Sequence, residues 1–221
     1  MTVSLLMRDP ATGAMGAAAA TGSLCVGGWV LRGDMRAGLS ASQGAAPSPF
    51  WGEDVLARMR AGSPADRAVR AVTDADAGRA ARQLAALDLA GRSGVFTGAQ
   101  NDPWRGAREA PDIVASGNLL AGGEVLDALI EGFLSARGAL PDRLIAALAQ
   151  ARAAGGDRRG FLSAALLVLR PDAPPLTLRI DHDADDPVAA LQALLARTRQ
   201  PDYAAWLDTV PTLRDPQRGA V

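Results

Sequence analysis

Residues 1–13 read MTVSLLMRDPATG, and the alternation inside them decides what kind of fold the chain builds. Val3, Leu5 and Met7 take turns with Thr2, Ser4 and Arg8, the period of two that a strand imposes on its side chains, with Leu6 interrupting the polar face. Asp9-Pro10-Ala11-Thr12-Gly13 is turn chemistry, and it returns the chain into a run of small residues at 15–21. Small side chains let another layer or a ligand come close to a strand. The chain therefore opens on a hairpin with a threonine at its head, directly behind the initiator methionine. If Met1 is trimmed, that threonine carries a hydroxyl and a free amine together, a known route to a nucleophile.

The rest of the composition bounds what such a hairpin can belong to. A chain of 221 residues that is 48% hydrophobic can bury a sizeable core, and one domain is the preferred reading. A formal net charge of −1 leaves no basic footprint for nucleic acid or for an anionic membrane surface. Cys25 is the only cysteine, which precludes an internal disulfide and fits a reducing, cytoplasmic compartment. The weakly apolar stretch 15–30 is too short to span a bilayer. The turn at 9–13 breaks the continuous apolar run that a signal peptide needs, so the N-terminus reads as part of the mature fold.

Further along, strands are expected around 25–31 and 36–43. A helix starts at Gly52, with Glu53 and Asp54 in its first turn and Gly62 at its stop. A second helix is expected from Ser63 as N-cap, Pro64 at N1 and Asp66 at N3. Residues 83–89, the Ala90-Gly91-Arg92 turn and residues 93–97 form a hairpin pattern. After a strand at 113–118, two amphipathic helices follow, the second behind Pro141. The apolar run 163–169 reads as a strand covered on both faces, and 176–181 alternates strictly beside it. A last helix opens at Asp186 with Pro187 at N1. This order predicts a layered α+β domain over residues 1–200 in which helix pairs cover stacked sheets, with a Pro-rich tail at 201–221 that packs on it or is partly irregular.

Several stretches together carry a resemblance: T-V-S-L-L-M-R-D-P-A-T-G at the start, R-Q-L-A-A-L-D with F-T-G, S-G-N-L-L near 116–120, A-A-G-G-D-R-R-G-F-L-S-A-A-L-L-V, and the D-P-V-A-A-L helix start. They resemble the bacterial family catalogued as domain of unknown function 1028, placed in the N-terminal nucleophile (Ntn) hydrolase superfamily. The resemblance runs from Thr2 to about Arg197. It implies a four-layer αββα sandwich, Ntn-hydrolase-like, and a chemistry in which an N-terminal Thr, Ser or Cys attacks an amide. Fold membership alone does not establish activity.

Thr2 is the candidate nucleophile. Its exposed α-amine, with an ordinary pKa of about 7.7 to 8.0, would be substantially neutral near physiological pH and able to take the hydroxyl proton. Thr21 and Ser23, at the end of the second strand, would lie beside the head of the first and orient the amine. Arg8 and Arg36 are candidates for the positive charge that the superfamily usually places beside the nucleophile; the sequence has no lysine, and arginine acts only electrostatically. Asn118, next to Gly117, is the candidate oxyanion donor. Asp157 with Arg158, inside the 155–160 loop, could hold a substrate's charged end or each other. That loop precedes a strand, so it does not read as a phosphate cradle. His182 among Asp181, Asp183, Asp185 and Asp186 matches no EF-hand spacing and reads as a solvated loop capping the last helix. Cys25 reads as a core thiol. Trp29, Phe50, Trp51 and Trp104 are candidates for a pocket or an oligomer interface.

The expectation is an Ntn-type amidohydrolase acting on a small-molecule amide or peptide-like substrate, with no metal or organic cofactor. The alternative is a non-catalytic binding or assembly module of the same fold that retains Met1. A third reading places hydrolysis elsewhere, on His182 or Asp157. By analogy with other such sandwiches, which often pair through helices, a homo-oligomer is an expected state.

Overall fold

The computed structural model describes residues 2–219. In chain order these form β1 (Thr2–Arg8), β2 (Met15–Thr21), α1 (Val26–Trp29), β3 (Leu31–Asp34), β4 (Gly38–Gly44), α2 (Trp51–Arg60) and α3 (Ala65–Thr73). There follow β5 (Arg82–Asp88), β6 (Ser93–Thr97), β7 (Gly106–Ala110), β8 (Ile113–Asn118), α4 (Glu124–Ser135), α5 (Leu140–Ala153), β9 (Ser163–Arg170), β10 (Ala173–Ile180), α6 (Pro187–Arg197) and α7 (Pro201–Leu207). One sheet runs β10-β9-β2-β1-β8-β7 and the other β3-β4-β5-β6, with antiparallel pairing between neighbours.

Side-chain parity turns these two sheets into four layers. In β1, Val3, Leu5 and Met7 point to a core shared with α4, α5 and α6, whereas Leu6 joins Met15, Ala17, Leu39 and Leu87 in a second core between the sheets. A third core, including Leu84 and Ala86 of β5, packs the other sheet against Val55 and Val69 of α2 and α3. The arrangement is an αββα sandwich. It explains why Leu6 interrupts the expected polar face: both faces of β1 are buried, so that face need not be polar. Small residues keep the layers close. A Cβ on Gly33 would stand 2.8 Å from side-chain atoms of Leu39 and Leu169, and one on Gly16 would meet Leu144 of α5 at 3.0 Å.

Two local expectations differ from the structure, at 25–31 and at Ser63, and two segments, β7 and the C-terminal tail, go beyond what the pattern specified. The strand expected at 25–31 is instead the single turn α1 followed by β3. Cys25 is in the left-handed region with φ 61°, which ends extended backbone, and Val26 N–H is capped by Ser163 Oγ at 3.1 Å. Ser63 does not cap α3, which starts one residue later behind Pro64; Ala65 N–H donates instead to Asp88 Oδ2 at 3.3 Å. The edge strand β7, G-A-R-E-A, has no apolar alternation because it is only partly covered, as charged edge strands are. The C-terminal tail contains a helix, α7, and then returns to the body where Arg214 N–H donates to Pro171 O at 2.9 Å. The opening of the last helix is as expected, with Asp186 accepting from Val188 and Ala189 N–H.

Among the described residues no helix is long and apolar enough to cross a membrane.

Candidate active site

The face of each central strand that looks into the inter-sheet space changes character along its length. In β1 it reads Thr2, Ser4, Leu6; in β2, Thr21, Ala19, Ala17, Met15; in β8, Asn118, Ser116, Val114. In the opposing sheet, β4 reads Gln43, Ala41, Leu39 and β5 reads Gln83, Ala85, Leu87. The registers Thr2↔Asn118 and Gln43↔Gln83 align the polar ends, so one end of the inter-sheet space is apolar and the other is a buried cluster of hydroxyls and amides.

Within that cluster the hydrogen bonds run between the sheets. Gln83 Nε2 lies 2.9 Å from Gly117 O, 3.1 Å from Gly106 O and 2.9 Å from Thr97 Oγ1, all acceptors, which fixes its amide orientation. Its Oε1 accordingly accepts from Gln43 Nε2 at 2.7 Å and Asn118 Nδ2 at 3.1 Å. Gln43 Nε2 also approaches Thr2 O and Ser116 Oγ, each at 3.4 Å, and Ser116 Oγ shares a 2.9 Å bond with Ser4 Oγ. Gln43 cannot be turned over without setting two carbonyl oxygens face to face. Its Oε1 is therefore left as a buried side-chain acceptor without a partner among the described residues, on a side chain 1% exposed.

Thr2 is 5% exposed and its Oγ1 donates to Thr21 Oγ1 at a long 3.4 Å. Thr21, Gln43 and Asn118, which bond to Thr2 or stand opposite it, carry no group that titrates near neutrality. The α-amine of Thr2 itself is the proton acceptor named from the sequence. Met1, whose removal would free that amine, lies outside the described residues.

The other sequence candidates divide by position. Arg8 and Arg36 do not join Thr2. Arg8 ends β1 six residues away, about 20 Å at strand rise, and pairs with Asp112 at 2.8 Å. Arg36 is exposed in the β3–β4 turn, at the end of β4 opposite Gln43. Ser23 is exposed beyond β2, its Oγ accepting from Arg159 Nη2 at 3.3 Å. Asp157 is buried, but its partner is Arg159 at 3.2 Å and not Arg158, which is exposed. The Asp157 carboxylate also accepts from Gly22 N–H at 2.6 Å and Arg159 N–H at 2.8 Å, pinning the 155–160 loop to the end of β2. A 200 Å³ cavity adjoins this loop.

Asp157 thus reads as a structural pin close to the polar cluster. Asp157→Asn should lower stability by about 2 to 3 kcal/mol, because an amide N–H would then face a donor, whereas Arg158→Ala should stay within about 0.5 kcal/mol. Thermal melts of the two variants check this.

His182 is exposed, and Asp183 and Asp186 beside it are engaged in turn and cap bonds. Among the described residues no group of three or more His, Cys, Asp or Glu is placed to hold a metal ion. Trp51 is core, edge-on to Phe96 at 5.9 Å, and together with the exposed Phe50 it lines a groove of about 810 Å³ beside α2; Trp29 is exposed, and Trp104 is partly buried under Arg108. Sequence reasoning missed Gln43 and Gln83. The available signal was an amide at the same parity as buried leucines in L-S-A-S-Q and Q-L-A-A-L.

Comparison with known proteins adds three findings. A family model described as "Family of unknown function (DUF1028)" matches residues 2–191. Among solved structures, protein SPO2555 from Silicibacter pomeroyi, carrying that same family designation, is 52% identical, with TM-score 0.95 over 100% of this chain and 99% of that one. Anbu (ancestral beta-subunit) from Yersinia bercovieri aligns over 96% of this chain and 99% of its own at 12% identity and TM-score 0.39, a similarity that carries no argument. No curated protein matches.

Proposed function

Given that the chain belongs to the DUF1028 family, whose function is unknown, we propose from the geometry that it is an amidohydrolase of the N-terminal nucleophile type acting on a small amide or peptide-like substrate. The observation that carries this reading is the position of Thr2. It heads a central strand, at the polar end of the space between two sheets, with an unfilled amide acceptor, Gln43 Oε1, beside its carbonyl.

After Met1 is removed, the Thr2 α-amine takes the proton from Thr2 Oγ1 as the oxygen attacks the substrate carbonyl carbon, and later delivers it to the departing amine. Asn118 Nδ2 spends one hydrogen on Gln83 Oε1 and keeps a second for the developing oxyanion. Gln43 Oε1 can receive a hydrogen bond from the amine. Thr21 orients the hydroxyl from β2. Water then resolves the acyl-enzyme.

Freshly purified protein incubated with an aliphatic β-lactone tests this. Attack by Thr2 Oγ1 opens the ring at its acyl C–O bond and the amine passes the hydroxyl proton to the released alkoxide, so the whole reagent is added. One adduct per chain on the peptide that begins with Thr2 is expected. An unmodified chain, or an adduct mapped elsewhere, overturns the proposal.

The burial of Thr2 favours a second reading, a non-catalytic binding or assembly module in which Met1 is retained and the polar cluster only staples the sheets together.

A further inference from the structure

At the end of the fold opposite Thr2, a cavity of about 940 Å³ opens between the β1–β2 turn, the α4–α5 link, the β9–β10 turn and the C-terminal segment. Its floor is the open end of the helix-side core, formed by Met7, Val168 and Leu195 with Leu140 and Leu176. Its roof includes Ala204, Leu207 and Asp208, in and just beyond α7. A helix carrying Tyr203, Trp206 and Leu207 would ordinarily press an apolar stripe onto the body, yet α7 has no buried residue, and Tyr203 and Trp206 are 39% and 55% exposed. The helix spans a space of ligand size with an apolar floor. An open space of this size with an apolar floor and polar walls suits a small-molecule ligand.

The walls say what chemistry the occupant has. They carry Arg143, Arg170, Arg199, Arg214 and Arg218 against Asp9, Asp172 and Asp208. Arg170 is paired with Asp172 at 2.9 Å and Arg199 with Asp142 at 2.6 Å. Arg143 and Arg218 are fixed by carbonyls, Arg143 on Phe133 O at 3.2 Å and Arg218 on Val210 O and Leu207 O at 2.8 and 2.7 Å. A carbonyl positions a guanidinium without cancelling its charge. The Arg214 guanidinium has no hydrogen-bonding or ion-pair partner among the described residues, while its backbone is tied to Pro171. Its charge reaches the same wall: the Asp172 carboxyl lies below the usual carboxylate range, chiefly through the hydrogen bond from Arg170 and to a lesser degree through Arg214. Of the two carboxylates outside those pairs, Asp9 is occupied by the Ala11 N–H and Thr12 hydroxyl of its own turn.

We propose that this cavity binds an organic anion with an apolar body, its chain on the Met7–Val168–Leu195 floor and its carboxylate met by Arg214 and Arg218. The inference is independent of the chemistry at Thr2.

Octanoate is the probe, with octanol as the same body without charge and acetate as the same head without body. Octanoate is expected to raise the melting temperature of the full chain and to bind measurably by calorimetry, with octanol and acetate at least about tenfold weaker. Arg214→Gln removes no hydrogen bond within the protein, so it should melt as the parent does while weakening octanoate about tenfold or more. No binding of octanoate, equal binding of octanol, or an Arg214→Gln protein that binds as tightly as the parent would each overturn the assignment.

Discussion

A Gln83→Leu protein is expected to lose about 4 kcal/mol of stability and to melt roughly 10 °C below the parent. Gln83 is fully buried and its two amide atoms serve five partners: Thr97 Oγ1, Gly106 O, Gly117 O, Gln43 Nε2 and Asn118 Nδ2. Leucine fills the volume but leaves these groups buried and unpaired, and each orphaned group costs about 1 to 3 kcal/mol. Partial rearrangement of Gln43 and Asn118 toward each other keeps the total below the sum. The effect should exceed that of a Gln-to-Leu change on the surface because Gln83 reaches from one sheet to β7 and β8 of the other. Gln83→Glu should not rescue it, since a carboxylate supplies no donor to Gly106 O and Gly117 O. Denaturant and thermal melts of both variants read the result.

Thr2→Ala is expected to reduce kcat/KM at least about a thousandfold on any amide the parent turns over, while changing stability by less than about 1 kcal/mol. The two halves of this expectation have separate causes. In the proposed reaction the Thr2 hydroxyl oxygen is the attacking atom, so turnover falls with it; its side-chain hydrogen bond among the described residues, to Thr21 Oγ1, is long and contributes little to the fold. Alanine is as small as threonine at the second position, so processing of Met1 should continue and the amine remains. The variant isolates the oxygen. Thr2→Ser, which keeps both groups, should retain turnover. A Thr2→Ala protein that folds and works as the parent does would move the chemistry away from β1.

Much of the architecture could be read from local patterns. The alternation of β1, the continuous apolar run of β9 and the Asp186-Pro187 helix start are each fixed by neighbours in sequence, and each is where the pattern predicted it. The elements that differed, or that the pattern did not specify, depend on distant contacts. The α1 turn follows from a left-handed Cys25 and from Ser163 Oγ accepting the Val26 N–H, and β7 gains strand character only by lying beside β8.

The candidate site shows the same division. Thr2, Thr21 and Asn118 could be named from the hairpin and the strand ends, and the structure brings them together. Arg8 and Arg36 were chosen by charge, and strand length carries both to the far end. Asp157 was linked to its immediate neighbour Arg158, but the loop turns Arg159 inward instead. Gln43 and Gln83 sit on different strands and reveal their role only when sheet pairing sets them opposite each other.

The central claim is that Thr2 is the first residue of the working protein. Intact-mass measurement on freshly purified, unmodified chain tests it most directly. The account predicts a mass lower than that of the full sequence by one methionine residue, with threonine as the first residue released on N-terminal sequencing. A full-length mass in material that hydrolyses amides would contradict it, because the amine that must accept the hydroxyl proton would then be locked in a peptide bond.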